Sequence, residues 1–245
     1  MGINVYSRIA ISTLLLVLAA LFVFKIVKRL DEDWYRCRAL AESVKTSTWR
    51  FCMRAHPFGD SDNIAEPKAN LRNLLRDILR ANQSLAKHLT VSGAEQVSDT
   101  MLWVRARPLS ERITYYVEHR INDQKTWYAR KSAENRRALN IWIAVTIFVY
   151  LGAAISLNAD QLGYGWATKA FDPMIVLATS VLGWLQMKRH GELMASYNLT
   201  AHEIGIIKSN SESISTEEDF SNFVNEAELA FSREHTQWVA RRDAN

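Results

Sequence analysis

Helix breakers are scarce in this chain and missing from two long stretches. Neither glycine nor proline occurs between Ile3 and His56, or between Ser110 and Leu151, although the chain holds nine glycines and four prolines in 245 residues. Nothing in those stretches interrupts a helical backbone, so each can form one rod. Continued past Gly152 to Leu157, the second rod would reach roughly 70 Å over about 48 residues. Cysteine is scarcer still, with only Cys37 and Cys52. On one helix they would lie about 22 Å apart along the axis, too far to bond, which fits a reducing compartment. Catalytic signatures are missing as well: there is no nucleophile elbow, P-loop, HExxH or CxxC. The six histidines are scattered and none pairs with another at i, i+4, so no metal site is expected. Adjacent Glu217 and Glu218 sit where a helix should begin, and the helix dipole accounts for them. The expectation is a protein that is not an enzyme, has no cofactor and does not bind nucleic acid.

Charge is absent from two further runs, and these organise the rest. Residues 141–157 read IWIAVTIFVYLGAAISL and residues 173–186 read PMIVLATSVLGWLQ. As helices they span roughly 26 Å and 21 Å, against a bilayer core of about 30 Å; the second needs Phe171 to reach across. Arg130, Lys131, Arg136 and Arg137 precede the first run, and Lys188 and Arg189 follow the second. Trp142, Tyr164, Trp166 and Trp184 lie near the expected interfaces. This is the pattern of a transmembrane hairpin; its rival is a pair of buried helices in a soluble bundle. Residues 5–27 form a third apolar run, with Lys25, Lys28 and Arg29 behind it and no small-x-small cleavage site. It reads as an anchor rather than a signal peptide. The basic flanks predict an outside N-terminus, residues 28–138 inside, loop 158–171 outside and the tail inside. The division is then an N-terminal transmembrane helix (1–29), a cytoplasmic helical region (30–138), a transmembrane hairpin (139–190) and cytoplasmic C-terminal helices packing on the bundle (191–245). The fold class is an all-α membrane protein, its long helices continuing from transmembrane spans into a cytoplasmic helical bundle.

The polar regions carry weaker signals. Residues 28–138 hold 21 basic and 14 acidic side chains, whereas residues 188–245 hold 6 and 10, so the two parts should attract each other. A packing stripe is expected along Trp34, Cys37, Ala41, Val44, Thr48 and Cys52, in a helix that Pro57 and Gly59 stop. A helix capped by Asn70 should run to about His88 on the stripe Leu71, Leu74, Leu75, Ile78, Leu79 and Leu85. Its Arg72, Arg76 and Arg80 form a basic line, which is either a solvated face or a contact for an anionic ligand or partner. Ser98 is expected to cap a short helix. Tyr116, Val117, Ile121, Gln124, Tyr128 and Lys131 mark one side of the long rod, and Ser215 to Glu218 reads as a capping box. The last helix should bury Phe220, Phe223, Val224, Ala227, Phe231 and Trp238. Trp34, Trp127 and Trp238 are the candidate structural core. In the membrane, Gly152/Ser156 and Thr179/Gly183 are small-x-x-x-small pairs that allow close helix contact. Thr146, Ser156, Thr179, Ser180 and Gln186 could line a narrow water path or bond their own backbone.

Residues 34–58, WYRCRALAESVKTSTWRFCMRAHPF, and residues 116–137, YVEHRINDQKTWYARKSAENRR, share a Trp-Tyr-x-x-basic element, which hints at a duplicated unit. They resemble the N-terminal and C-terminal units of paired SLATT proteins, the SMODS- and SLOG-associating two-transmembrane effectors. Glu203, Glu226, Glu234 and Trp238 in the tail stand at family-like places. The resemblance implies a bacterial inner-membrane effector, its soluble parts facing the cytoplasm. It would act as an oligomeric pore or membrane disruptor in a nucleotide-triggered antiphage, abortive-infection system. The partners implied are the membrane, further copies of the chain, and a nucleotide second messenger or nucleotide-sensing protein. A membrane-anchored scaffold or signal transducer without a pore is one alternative, and a nucleotide-binding module using the Arg72, Arg76, Arg80 line is a second. A paired protein should have two spans in its first unit, where only residues 5–27 are visible. The expectation is either a further span preceding this chain or a three-span branch.

Overall fold

The computed structural model describes residues 5–28, 30–59, 63–88, 95–159 and 161–243. The described residues are helical and contain no strand. The helices are α1 (Val5–Lys28), α2 (Leu30–Cys52), α3 (Ala65–Ala81), α4 (Asp99–Arg105), α5 (Leu109–Tyr116), α6 (Asn122–Leu157), α7 (Phe171–Lys188), α8 (His190–Asn210) and α9 (Glu217–Asp243). They sort into two compact units, residues 1–106 with 231–245, and residues 107–230. Helix α6 runs unbroken from polar into apolar sequence and keeps both on one element of the second unit.

In the first unit, α1 is apolar on all sides. Every described side chain from Val5 to Phe24 is exposed, including Leu16, Phe22 and Phe24. A helix apolar all round needs lipid or a large core around it. The core of this unit gathers at the far end of α2, where Phe51, Met53, Ala55 and Phe58 are fully buried with Leu71 of α3, Leu85 and Val104 of α4. The expected α2 stripe is corrected here: Trp34, Ala41 and Val44 are exposed, and Ser47, Phe51 and Cys52 are the buried side chains. Phe51 carries more apolar area than Ala41 or Thr48, so it sets which face turns inward. The helix also ends at Cys52, ahead of Pro57. The Ala55 amide donates to the Arg50 carbonyl at 2.9 Å and Arg54 takes a left-handed φ of 56°, which together close a Schellman-type cap. Helix α3 starts at Ala65 instead of Asn70. The Asn63 side chain accepts from the Ala65 amide at 2.9 Å, and Pro67 is tolerated in the first turn, where its missing N–H has no helical acceptor to lose. Ser98 does cap α4, accepting from the Met101 amide at 3.3 Å.

In the second unit, α5 and α6 join through a π-turn at Val117–Ile121 into one rod, Leu109–Leu157. Tyr116, Ile121, Gln124 and Tyr128 are buried along the expected side. The rod pairs antiparallel with α8 and then α7. Ser132 donates to the Met194 carbonyl at 3.0 Å, His190 Nδ1 lies 2.9 Å from Asn135 Oδ1, and the Trp142 and Trp184 rings sit 6.1 Å apart. Arg189, at φ 49°, separates α7 from α8 without ending the pairing. The capping box of α9 is shifted by one residue from the expected Ser215/Glu218. Thr216 Oγ1 accepts from the Asp219 amide at 3.1 Å, and Asp219 accepts from the Thr216 amide at 3.1 Å. Those hydrogen bonds, Thr216 foremost, hold the Asp219 carboxyl below its usual range.

Candidate functional site

The two apolar helices meet through small residues. On α6, Thr146, Val149, Ala153 and Ser156 are buried, and on α7 Ala178 and Val181. A Cβ built on Gly152 would come within 3.2 Å of the sulfur and methyl of Met174, so glycine is what lets α7 approach there. Ser156 Oγ donates to the Ala167 carbonyl at 2.5 Å and pins the connecting turn. The pair Gly152/Ser156 is therefore the internal contact of the hairpin. Thr179 and Gly183 are not part of it. Both are exposed, and a Cβ on Gly183 would meet nothing within 4 Å. Their spacing puts them on the far side of α7 from Ala178 and Val181, so the second small pair faces outward. The hydroxyls of Thr146, Thr179 and Ser180 bond carbonyls of their own helices at 2.8 to 3.0 Å.

Two helices, Leu109–Leu157 and Gly165–Ser213, are long and apolar enough to cross a membrane, and only 11% of each apolar window is buried. The core helix of a soluble bundle would be mostly covered, and here Phe148 is 77% exposed, with Leu151 and Ile155 also open. The low burial decides for the membrane hairpin over the soluble one.

About 30 Å along the rod from the apolar run lies a buried polar cluster. Arg120 donates from Nε and Nη2 to both carboxylate oxygens of Glu228 at 2.8 and 2.6 Å, and the Tyr116 hydroxyl donates to the same carboxylate at 2.9 Å. All three side chains are buried. One turn earlier, the fully buried Arg112 pairs with Glu217 and donates from Nε to the Arg107 carbonyl at 2.9 Å. Its guanidinium lies 5.7 Å from the Phe220 ring centre. Tyr116 meets Phe220 and Phe223 edge-on. The π-turn coincides with this cluster, in keeping with the tendency of π-bulges to lie at functional positions. The expected attraction between basic middle and acidic tail is thus realised in this unit by two ion pairs.

The remaining expected residues lie elsewhere. Trp34 is 54% exposed with the Arg38 guanidinium over its ring at 5.6 Å, so it is a surface residue of α2 and not a core one. Trp127 is half-buried, packed at right angles to Tyr128 and against Tyr197; Tyr128 is the buried member of that group. The Trp238 side chain lies outside the described residues. Arg72, Arg76 and Arg80 are exposed on α3, with Arg76 bonded to Asn73 at 3.1 Å and Arg80 4.0 Å from Asp77. The line is open to solvent, and these contacts are local ones on α3. The sequence reading missed Arg105, Arg112 and Arg120, which are buried. Arg105 donates to the Phe51 and Gly59 carbonyls at 2.6 and 3.0 Å and caps the first unit's core. The available signal was position: Arg120 falls one turn after Tyr116 on the side that Gln124 and Tyr128 continue. Burial also pushes the Cys52 thiol up to about 12, the nearby Arg105 charge opposing it only in part.

Residues 116–238 match the family model of SMODS and SLOG-associating 2TM effector domain 1, and residues 1–113 match that of SMODS and SLOG-associating 2TM effector domain 3. The chain belongs to the SLATT family. Two models of one family, one on each half, agree with the duplication hinted at by the Trp-Tyr elements. SLATT domains are two-transmembrane effector domains, so this is a membrane effector by family as well as by the exposed apolar faces of its helices. No curated protein and no solved structure matches the chain.

Proposed function

We propose that this SLATT protein is a bacterial inner-membrane effector that acts as an oligomeric pore or membrane disruptor in a nucleotide-triggered antiphage system. The observation that carries the reading is the rod Leu109–Leu157, which joins the buried Arg120–Glu228 cluster to the apolar hairpin without a break. A change in how α9 holds the rod would be passed into the membrane as a rigid displacement. The two apolar runs, 141–157 and 173–186, carry no charge and few polar side chains, so two helices of a single copy do not make a path. A pore needs several copies, and Thr179/Gly183 on the outer face of α7 supply a surface where helices of neighbouring copies could approach closely. Gating would then rest on apolar closure. The soluble helices face the cytoplasm in this reading, with the basic flanks on the inner side.

The second reading is a membrane-anchored scaffold or signal transducer without a pore. It is favoured by the self-satisfied hydroxyls of Thr146, Thr179 and Ser180. Dye release from vesicles holding the full chain, with and without added cyclic nucleotides, separates the two. Release above the protein-free rate, with an oligomer mass in detergent, supports the pore. A monomer that never releases dye supports the scaffold.

A further inference from the structure

The surface where the hairpin leaves the lipid serves the reading above only as a sign of orientation. The antiparallel register sets Asn135 beside His190 at 2.9 Å and Trp142 beside Trp184 at 6.1 Å. Arg136 and Arg137 directly follow Asn135, and Lys188 and Arg189 directly precede His190. All four side chains are exposed and occupy one band, roughly 10 Å along the axis from the tryptophan pair. Lys188 Nζ lies over the Trp184 ring at 4.6 Å, and Arg189 reaches Glu192 at 2.6 Å. Just beyond, Arg130 and Lys131 share Glu134, at 3.8 and 2.7 Å. Among the described residues, Arg136 and Arg137 have no carboxylate within ion-pair distance. The band and its margin therefore hold six cations against two carboxylates, both already engaged.

We propose that this band is a docking surface for anionic phospholipid headgroups. Arg136, Arg137, Lys188 and Arg189 contact the phosphodiesters, and Trp142 and Trp184 sit at the boundary between headgroups and acyl chains. The chemistry matches on each count. Guanidinium groups bind phosphate oxygens two at a time, tryptophans settle at the membrane interface, and clusters of basic residues next to a span draw anionic lipid. The opposite end of the hairpin, with Asp160, Lys169 and Asp172, offers no such excess. The inference rests on the hairpin crossing a membrane, and it adds a lipid preference to that reading.

The test uses the full chain in detergent, titrated with phosphatidylglycerol or with phosphatidylcholine of the same acyl chains, with retained lipid counted by native mass spectrometry. Phosphatidylglycerol should be retained at least tenfold over phosphatidylcholine, and millimolar inorganic phosphate should not displace it. The variant R136Q/R137Q/K188Q/R189Q should fall to the phosphatidylcholine level. R137Q and K188Q alone should each lower retention severalfold, which keeps the test alive if the quadruple variant does not fold. Equal retention of the two lipids, or unchanged retention in the variants, overturns the proposal. Displacement by phosphate makes the band a free-phosphate site and overturns it too. Flotation separates the two layers of the argument. A chain that fails to float with phosphatidylcholine vesicles after an alkaline wash removes the membrane-spanning reading itself; one that floats but shows no lipid preference removes only this inference.

Discussion

Arg120 and Glu228 form a two-pronged ion pair, at 2.8 and 2.6 Å, between the π-turn of the long rod and the last helix, and both side chains are buried. Charges removed from water are stabilised only while paired, so loss of one partner strands the other. Arg120→Ala should destabilise the second unit by about 3–5 kcal/mol. Replacing both residues by apolar ones, Arg120→Met with Glu228→Leu, should lose much less than the two single changes together. Thermal unfolding in detergent measures this. Additive losses would mean that the residues stabilise the unit separately.

Gly152 and Met174 make a second dependent pair. With a built Cβ only 3.2 Å from the Met174 side chain, Gly152→Leu should push α7 away from α6. Overpacking of this kind costs about 1–3 kcal/mol. The variant should still insert, because the apolar run is intact, and should lose membrane permeabilisation. Met174→Ala in the same chain makes room and should restore part of it. Activity at the parent level in Gly152→Leu would show that close approach at this point is not needed.

Most of the fold was legible because helices in this chain are set by long breaker-free stretches and by apolar runs without charge. The hairpin, the rod from Ser110 and the cap at Ser98 all follow from those signals. What was not legible depended on three-dimensional partners. Arg112 and Arg120 look like solvated residues until Glu217 and Glu228 are brought beside them from more than 100 positions away. Trp34 looked like core because it is large and apolar, yet no described neighbour covers it fully. The two small-x-x-x-small pairs are alike in sequence, and only the direction each faces tells the internal contact from the outer one. Asn70 has the chemistry of a helix cap, yet α3 starts five residues before it, since the first turn of a helix accepts Pro67.

The two cysteines should behave differently. Both lie on α2 and neither is in a disulfide. Cys37 is half-buried, whereas Cys52 is buried and its thiol is pushed up from 9.0 to about 12. At neutral pH a maleimide should label Cys37 in the folded chain and Cys52 only after denaturation. In Cys37→Ser the folded chain should take up no label. Because the folded value is raised, the unfolded thiol ionises first as pH rises. The stabilising contribution is complete below about 9 and is lost progressively from there toward about 12. Cys52→Ala should remove that slope. Native labelling of Cys52 at the rate of Cys37 would contradict its burial.

The rod itself offers the sharpest test of how the two ends communicate. Below Asn135, Gln124 and Tyr128 are buried and Ser132 bonds across to α8; above it, Thr146, Val149 and Ala153 are buried in the hairpin. One register serves both regions. Each inserted residue turns a helix by about 100°, so two alanines placed after Asn135 would rotate one region by about 200° relative to the other while keeping the rod stiff. Two glycines at the same point would add flexibility to the rotation. Both variants should reach the membrane, since the apolar runs are unchanged. Neither should permeabilise it under conditions where the parent does, because a displacement at the Arg120–Glu228 end would no longer present Gly152 to Met174. Depolarisation of cells, measured with a potential-sensitive dye alongside membrane fractionation, reads both properties. If the two-alanine variant depolarises cells as the parent does, a rigid register is not the link. If only the two-glycine variant is silent, stiffness matters and the facing of the helices does not.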